Sequence, residues 1–353
     1  MIAKIRRAMR EQGADAVLLT SEISRRYVTG FHSTAGVVYI SEKHAVFFTD
    51  FRYIEAAKQQ VEGFEVREPG DGQSYSAVVN QLVAADHIKT IALEDDALTY
   101  QEYTRWQGKL TANVQPMRDM MEKLRMVKSE DELNHVIAAQ RIAETAFLEV
   151  LEDIRPGVTE KQIAAKLTYR MLYYGAENMS FDPIVVSGAN SSKPHGVPSE
   201  KPIAEGDFIT MDFGCIVNGY CSDMTRTVAV GYATDEMAHV YDVVLRAQKA
   251  GIAAARPGVT GKEIDQAARE VIEQADFGPY FGHGFGHGVG LQIHEEPRLS
   301  TRGDKIMQDG VIVTAEPGIY LPGRFGVRIE DMLYLTGDSC RNLTEAPKEL
   351  LIL

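Results

Sequence analysis

Apolar positions switch between two periods along the chain, and each switch marks an element. At the start Ile2, Ile5 and Met9 recur at helical spacing, and the run from Ala16 to Leu19 reads as a strand. The spans GVVYI (36–40) and HAVFF (44–48), separated by polar Ser41-Glu42-Lys43, predict a hairpin. Asp50 is placed to cap a helix running to Gln60, and strands at 64–66 and 90–93 lie among further helical stretches. Residues 1–124 therefore read as a small α/β domain.

A charged stretch, KLRMVKSEDELNH (123–135), changes the pattern, and Ser129 with Glu132 forms a capping box. The box predicts a long helix with Leu133, Val136, Ile137, Phe147, Val150 and Leu151 on its apolar side, ended by Arg155-Pro156-Gly157. The domain boundary is set near residue 125, leaving 125–353 as a second, larger domain.

That second domain echoes itself. RPGVTEKQI (155–163) and RPGVTGKEI (256–264) agree at seven of nine positions, 101 residues apart. Thr159 with Gln162 and Thr260 with Glu263 give each copy a capping box. Downstream, GDFITMDFG (206–214) parallels GVIVTAEPG (310–318), matching Thr210 to Thr314, Asp212 to Glu316 and Gly214 to Gly318. Both stretches predict strands ending in a carboxylate and a glycine turn. A repeat of this length points to a duplicated unit and a pseudo-twofold domain.

Composition narrows the class without naming a function. The 353 residues are 44% hydrophobic and 25% charged, a globular balance. A net charge of −13 offers no field for a phosphate backbone or an anionic membrane, so nucleic acid and membrane are excluded as partners. No apolar run approaches the ~18 residues needed to span a bilayer. Three cysteines, Cys215, Cys221 and Cys340, without a C-x-x-C pair, fit a reducing, cytoplasmic setting.

The echo also organises the acids. Asp223 lies 11 residues after Asp212, and Glu330 lies 14 after Glu316. Each spacing suits a hairpin that returns both acids to one sheet end, so packing of the halves would gather four carboxylates. Four anions in one buried pocket need cancelling charge, which two divalent cations supply. The stretch FGHGFGHGVGLQIHEEP (281–297) adds His283, His287 and His294 on a glycine-rich backbone. A lone Asp at a strand end is ordinarily a solvated turn residue, and it is the joint arrangement that carries the signal.

At this point MDFG (211–214), CSDMTRT (221–227), GHGFGHGVGLQIHE (282–295), AEPGIY (315–320) and RIED (328–331) together resemble the pita-bread fold metallopeptidases. Within them the likeness is to the Xaa-Pro branch that contains prolidase (Xaa-Pro dipeptidase) and aminopeptidase P. The resemblance implies an α/β (α+β) pita-bread catalytic domain preceded by a smaller creatinase-type α/β domain. It implies that Asp212 binds one metal, that Asp223 and Glu330 bridge, and that His287 and Glu316 complete the second metal. His294 is expected at the substrate carbonyl, His195 of KPHGVPS at the intermediate, and Glu316 as the proton carrier. His283 and Arg328 are expected at the proline-binding pocket or in support of the ligands.

The implied activity is hydrolysis of the bond preceding proline in small peptides with proline second, by a dinuclear-metal exopeptidase. Manganese or cobalt suits an oxygen-rich set with one imidazole, with iron and zinc as further options. Xaa-Pro dipeptidase is the first expectation, aminopeptidase P acting on longer peptides the second. A non-catalytic binding protein on the same fold is the alternative of another class. A homodimer is also implied, with Thr29-Gly30-Phe31-His32 as either a subunit contact or an internal turn.

Overall fold

The computed structural model describes residues 1–70 and 72–353. Backbone contacts divide the chain into two compact units, Met1–Arg125 and Met126–Leu353.

The first unit opens with α1 (Ile2–Glu11), β1 (Ala16–Leu19), α2 (Glu22–Thr29), β2 (Val37–Ser41) and β3 (Ala45–Phe48). Then come α3 (Ile54–Gln60), β4 (Glu65–Arg67), α4 (Tyr75–Asp86), β5 (Thr90–Leu93), α5 (Tyr100–Lys109) and β6 (Asn113–Pro116), and α6 (Met120–Met126) crosses the division. The strands form one mixed sheet in the order β4-β3-β2-β1-β5-β6. Every residue of β1 and β2 is buried, which is why they read as unbroken apolar runs rather than alternating ones.

One local expectation needed adjusting. The α3 helix starts at Ile54, because the Asp50 carboxylate is taken up by Arg52, through its backbone N at 3.0 Å and its guanidinium at 2.7 Å. Asp50 thus closes a turn ahead of the helix. The stretch Thr29 to His32 is an internal turn: Gly30 caps α2 at φ +69°, Thr29 Oγ1 donates to Arg25 O, and Phe31 packs on Phe47 and Tyr53.

The second unit repeats one motif. Its first copy is α7 (Glu130–Val150), α8 (Glu160–Tyr173), β7 (Asn178–Met179), β8 (Ile184–Ser187), β9 (Phe208–Phe213), β10 (Cys215–Val217), β11 (Tyr220–Cys221) and β12 (Met224–Ala229). The second is α9 (Asp235–Ala254), α10 (Gly261–Gln274), β13 (Gly286–Gly288), β14 (Glu295–Leu299), β15 (Ile312–Ala315), β16 (Gly318–Leu321), β17 (Phe325–Arg328) and β18 (Asp331–Thr336), with β19 (Ser339–Asn342) added. Sheets β8-β9-β12 and β13-β15-β18 share one antiparallel order, and a short hairpin interrupts each: β10–β11 in the first, β16–β17 in the second.

The capping boxes at Ser129, Thr159 and Thr260 all form. Regular α7 ends at Val150 and tightens into a 3-10 turn over Leu151–Asp153, a few residues before Pro156. One apolar core packs α7 and α8 on the first sheet through Phe147, Ile163 and Phe213. Another packs α9 and α10 on the second through Val244, Ile264 and Val313.

Candidate metal centre

The duplicated hairpins bring the acids together. Asp212 lies in β9 opposite Thr225, and Asp223 immediately precedes β12. Their counterparts flank the second hairpin, with Glu316 just after β15 and Glu330 just before β18. Gly214 permits the first hairpin to fold so tightly, since a Cβ there would lie 1.9 Å from Ser222 O. Gly286 does the same for the histidine strand, where a Cβ would lie 2.1 Å from Thr314 O. The halves are joined by Thr225 Oγ1, which donates to Glu330 Oε2 at 2.7 Å, and by Thr227 Oγ1, which donates to Arg328 O at 3.0 Å.

Donor atoms of Asp223, His287 and Glu330 lie within 4.8 Å of one another. His287 Nε2 is 3.6 Å from Asp223 Oδ2 and 3.4 Å from Glu316 Oε1. Its Nδ1 lies 3.1 Å from Gly288 O, a contact that needs the proton on Nδ1 and turns the Nε2 lone pair toward the acids. Asp212 Oδ2 accepts from Arg328 Nη2 at 2.6 Å, while its buried Oδ1 has no hydrogen-bond partner among the described residues.

Burial dominates the electrostatics. It holds the Asp223 and Glu330 carboxyls well above the usual carboxylate range, and the charges of neighbouring acids add to the effect. The Glu316 carboxyl is pushed up to about 8 by burial, against the pull of Arg328. His287 is pushed down to about 3, again mainly by burial, and so stays neutral. Protonated acids around a neutral imidazole and an orphaned carboxylate oxygen fit a site built for cations, whose charge reverses the preference of the acids.

Residues 134–337 match metallopeptidase family M24, and residues 1–127 match the creatinase/prolidase N-terminal domain. The chain belongs to metallopeptidase family M24. Among relatives, the uncharacterized peptidase YqhT of Bacillus subtilis is 44% identical, over 100% of this chain and 99% of that protein. The structure of an Xaa-Pro dipeptidase from Bacillus anthracis is 45% identical with a TM-score of 0.96, covering 100% of this chain and 99% of that one. That of an X-Pro aminopeptidase from Thermotoga maritima is 40% identical with a TM-score of 0.93, covering 98% and 100%. As an M24 metallopeptidase the protein is a hydrolase that uses divalent metal ions and acts on peptides.

The M24 unit surrounds the acids with a cavity of about 540 Å³ that also has His195, His294 and Arg298 in its wall. His294 sits edge-on to the His287 ring at 4.4 Å, and its pKa is lowered by burial and then by the charge of Arg298. The exposed ring of His195 lines the cavity and makes no hydrogen bond among the described residues. His283 is tied at both nitrogens, with Nδ1 2.8 Å from Gly284 O and Nε2 2.9 Å from the Tyr320 hydroxyl. Burial takes it down to about 4. Arg328 is equally committed, donating to Asp212, to Tyr320 Oη at 2.8 Å and to Thr225 Oγ1 at 3.1 Å.

Besides Arg298, which lies outside every quoted motif, three residues of this surround were not singled out from the sequence. Tyr320, the last residue of AEPGIY, links His283 to Arg328. Arg226 and Asp331 form a buried ion pair at 2.8 Å, and Arg226 Nη1 also donates to the Glu330 carbonyl at 2.6 Å. All three stand inside quoted motifs, which was the available signal. Cys215 and Cys221 are buried free thiols, pushed up to about 11 and about 12 by burial, as small packing residues should be. No helix among the described residues is long and apolar enough to cross a membrane.

Proposed function

We propose that the protein is an Xaa-Pro dipeptidase whose catalytic domain, residues 125–353, holds two divalent ions, manganese first. Asp212, Asp223, His287, Glu316 and Glu330 would hold them, with Asp223 and Glu330 shared between the two. Bound there, the ions would polarise the scissile carbonyl and acidify water enough for attack near neutral pH. Glu316 takes the proton from the attacking water and passes it to the departing imide nitrogen. His195 and His294 donate to the developing oxyanion from the open side of the cavity. A proline imide has a fixed ring and no N–H to bond, and Phe181, Ile184 and Ile293 supply apolar wall for it. Arg328 and His283, held by Tyr320, keep that wall and Asp212 in place.

The observation that carries the dipeptidase reading is Arg298. It lies directly opposite His287 in the β13–β14 ladder, so both side chains leave the same sheet face, and both line the cavity. Its guanidinium makes no hydrogen bond among the described residues and suits the free carboxylate of a dipeptide. The Thermotoga maritima relative supports a second reading, an aminopeptidase acting on longer peptides. Ala-Pro and Ala-Pro-Ala separate the two. The dipeptidase should show kcat/KM roughly 10- to 100-fold higher on Ala-Pro, the worth of a hydrogen bond to a charged group. Equal or reversed preference replaces it with the aminopeptidase. The family likeness and three free thiols further support a homodimer working in the reducing cytoplasm.

A further inference from the structure

We infer that Lys128 and Glu295 form a buried clamp that positions the segment from His287 to His294 for metal binding and catalysis, an inference resting on the metallopeptidase reading above. The two side chains are 1% and 3% exposed, and Lys128 Nζ donates to Glu295 Oε1 at 2.5 Å. Nζ also donates to Met126 O at 3.3 Å, and the Lys128 backbone N donates to Gly310 O at 2.8 Å. Lys128 is therefore fixed to the approach of β15 before it touches the acid.

Glu295 follows His294 directly and pairs with Gly288, where the β13–β14 register shifts. The segment between is an irregular turn tied by few backbone bonds, Val289 N to Ile312 O at 3.2 Å and Gly290 N to Gln292 O at 3.1 Å. The Glu295 carboxylate supports it from below: a Cβ on Gly290 would come within 2.3 Å of Glu295 Oε1. Gly290 O in turn accepts from Cys221 N at 2.8 Å, two residues before Asp223. One ion pair thus reaches the turn carrying His294, the strand carrying His287 and the approach to Asp223.

Neither Lys128 nor Glu295 lines the cavity, so both act through the residues they hold. A buried ion pair is a poor device for stability alone, because desolvation offsets its attraction and an apolar pair of similar volume often serves as well. Its use here is to fix a turn that has few backbone bonds of its own. Lys128 and Glu295 are positioning residues.

The test uses full-length protein stripped of metal and titrated with Mn²⁺ alone by calorimetry, followed by steady-state kinetics on Ala-Pro. The double variant Lys128→Met with Glu295→Gln removes both charges together. It should melt close to the parent, yet bind Mn²⁺ roughly 10- to 100-fold more weakly and lose kcat by a similar factor with KM unchanged. Lys128→Arg, which keeps the charge and the donor, should retain most of both. Glu295→Asp, which keeps both charges but withdraws the carboxylate by one methylene, gives the same readout if the double variant does not fold. Parent-level Mn²⁺ affinity and kcat in the folded variants overturn the clamp. If the parent fails to cleave Ala-Pro, the dipeptidase reading falls, while the Mn²⁺ titration still decides the clamp.

Discussion

Arg328 Nη2 stands 2.6 Å from Asp212 Oδ2, joining an arginine of the second repeat to a carboxylate of the first. The same guanidinium holds Tyr320 and Thr225, so Asp212 is oriented by a residue that is itself locked in place. Arg328→Met should lower kcat on Ala-Pro roughly 10- to 100-fold, by the usual worth of a group that orients a ligand. Steady-state kinetics on variant protein with confirmed metal content checks this.

Asp223 and Glu330 are the acids proposed above to be shared between the two ions. Asp223→Asn and Glu330→Gln should each leave less than the parent's metal after dialysis and abolish most hydrolysis of Ala-Pro. Elemental analysis beside the assay reads both. Full metal content with full turnover in either variant sinks the dinuclear assignment.

Arg298 faces the cavity without touching the acids through any hydrogen bond. Arg298→Met should raise KM for Ala-Pro while leaving Ala-Pro-Ala nearly untouched, erasing the preference between them. A loss confined to kcat, equal on both substrates, removes Arg298 from carboxylate recognition.

Stability of the metal-free protein should fall as pH rises from about 6.5 to about 8. Glu316 is raised to about 8 by burial, with Asp223 and Glu330 raised beside it, so the folded state holds protons that the unfolded state has released. His287 and His283 run the other way, toward about 3 and about 4, but their effect is spent below the ordinary histidine range near 6.5. Arg328 faces the same acids and moderates the slope, whereas the charge of Asp212 adds to it. Thermal melts in chelator across this window should decline, and melts with Mn²⁺ should not. A rise in chelator contradicts the account.

Arg226 is almost completely buried, bonded to Asp331 and to the backbone of Thr225 and Glu330. Arg226→Met leaves Asp331 with Lys348 at 2.6 Å and the Asn342 amide at 2.7 Å, without its arginine, and should destabilise by about 3–5 kcal/mol. Denaturant unfolding measures it.

Much of this was written locally. The boxes at Ser129, Thr159 and Thr260 depend on residues three apart, and the hairpin at Val37–Phe48 on a single turn, so sequence periodicity found them. A fourth box, Thr99 with Glu102, was equally available and was passed over. The echo exposed the acids because duplication repeats a local pattern at a distance. What stayed hidden was partnership between residues far apart in the chain. Arg226 meets Asp331 across 105 residues, and Tyr320 meets His283 across 37, through packing that no periodicity encodes. The early end assigned to Asp50 failed for a simpler reason: a neighbouring arginine outcompeted the helix for its carboxylate.

The two repeats line their shared pocket with arms of different length. Asp212 and Asp223 come from one copy, Glu316 and Glu330 from the other, and among the described residues the imidazole grouped with these acids, His287, comes from the second copy. A frame with a local twofold axis therefore carries a lining without one. A peptide entering it would meet two unlike walls, which is what telling its amino end from its carboxyl end requires. For the proposed exopeptidase, direction of reading would then follow from divergence between two halves built on one pattern.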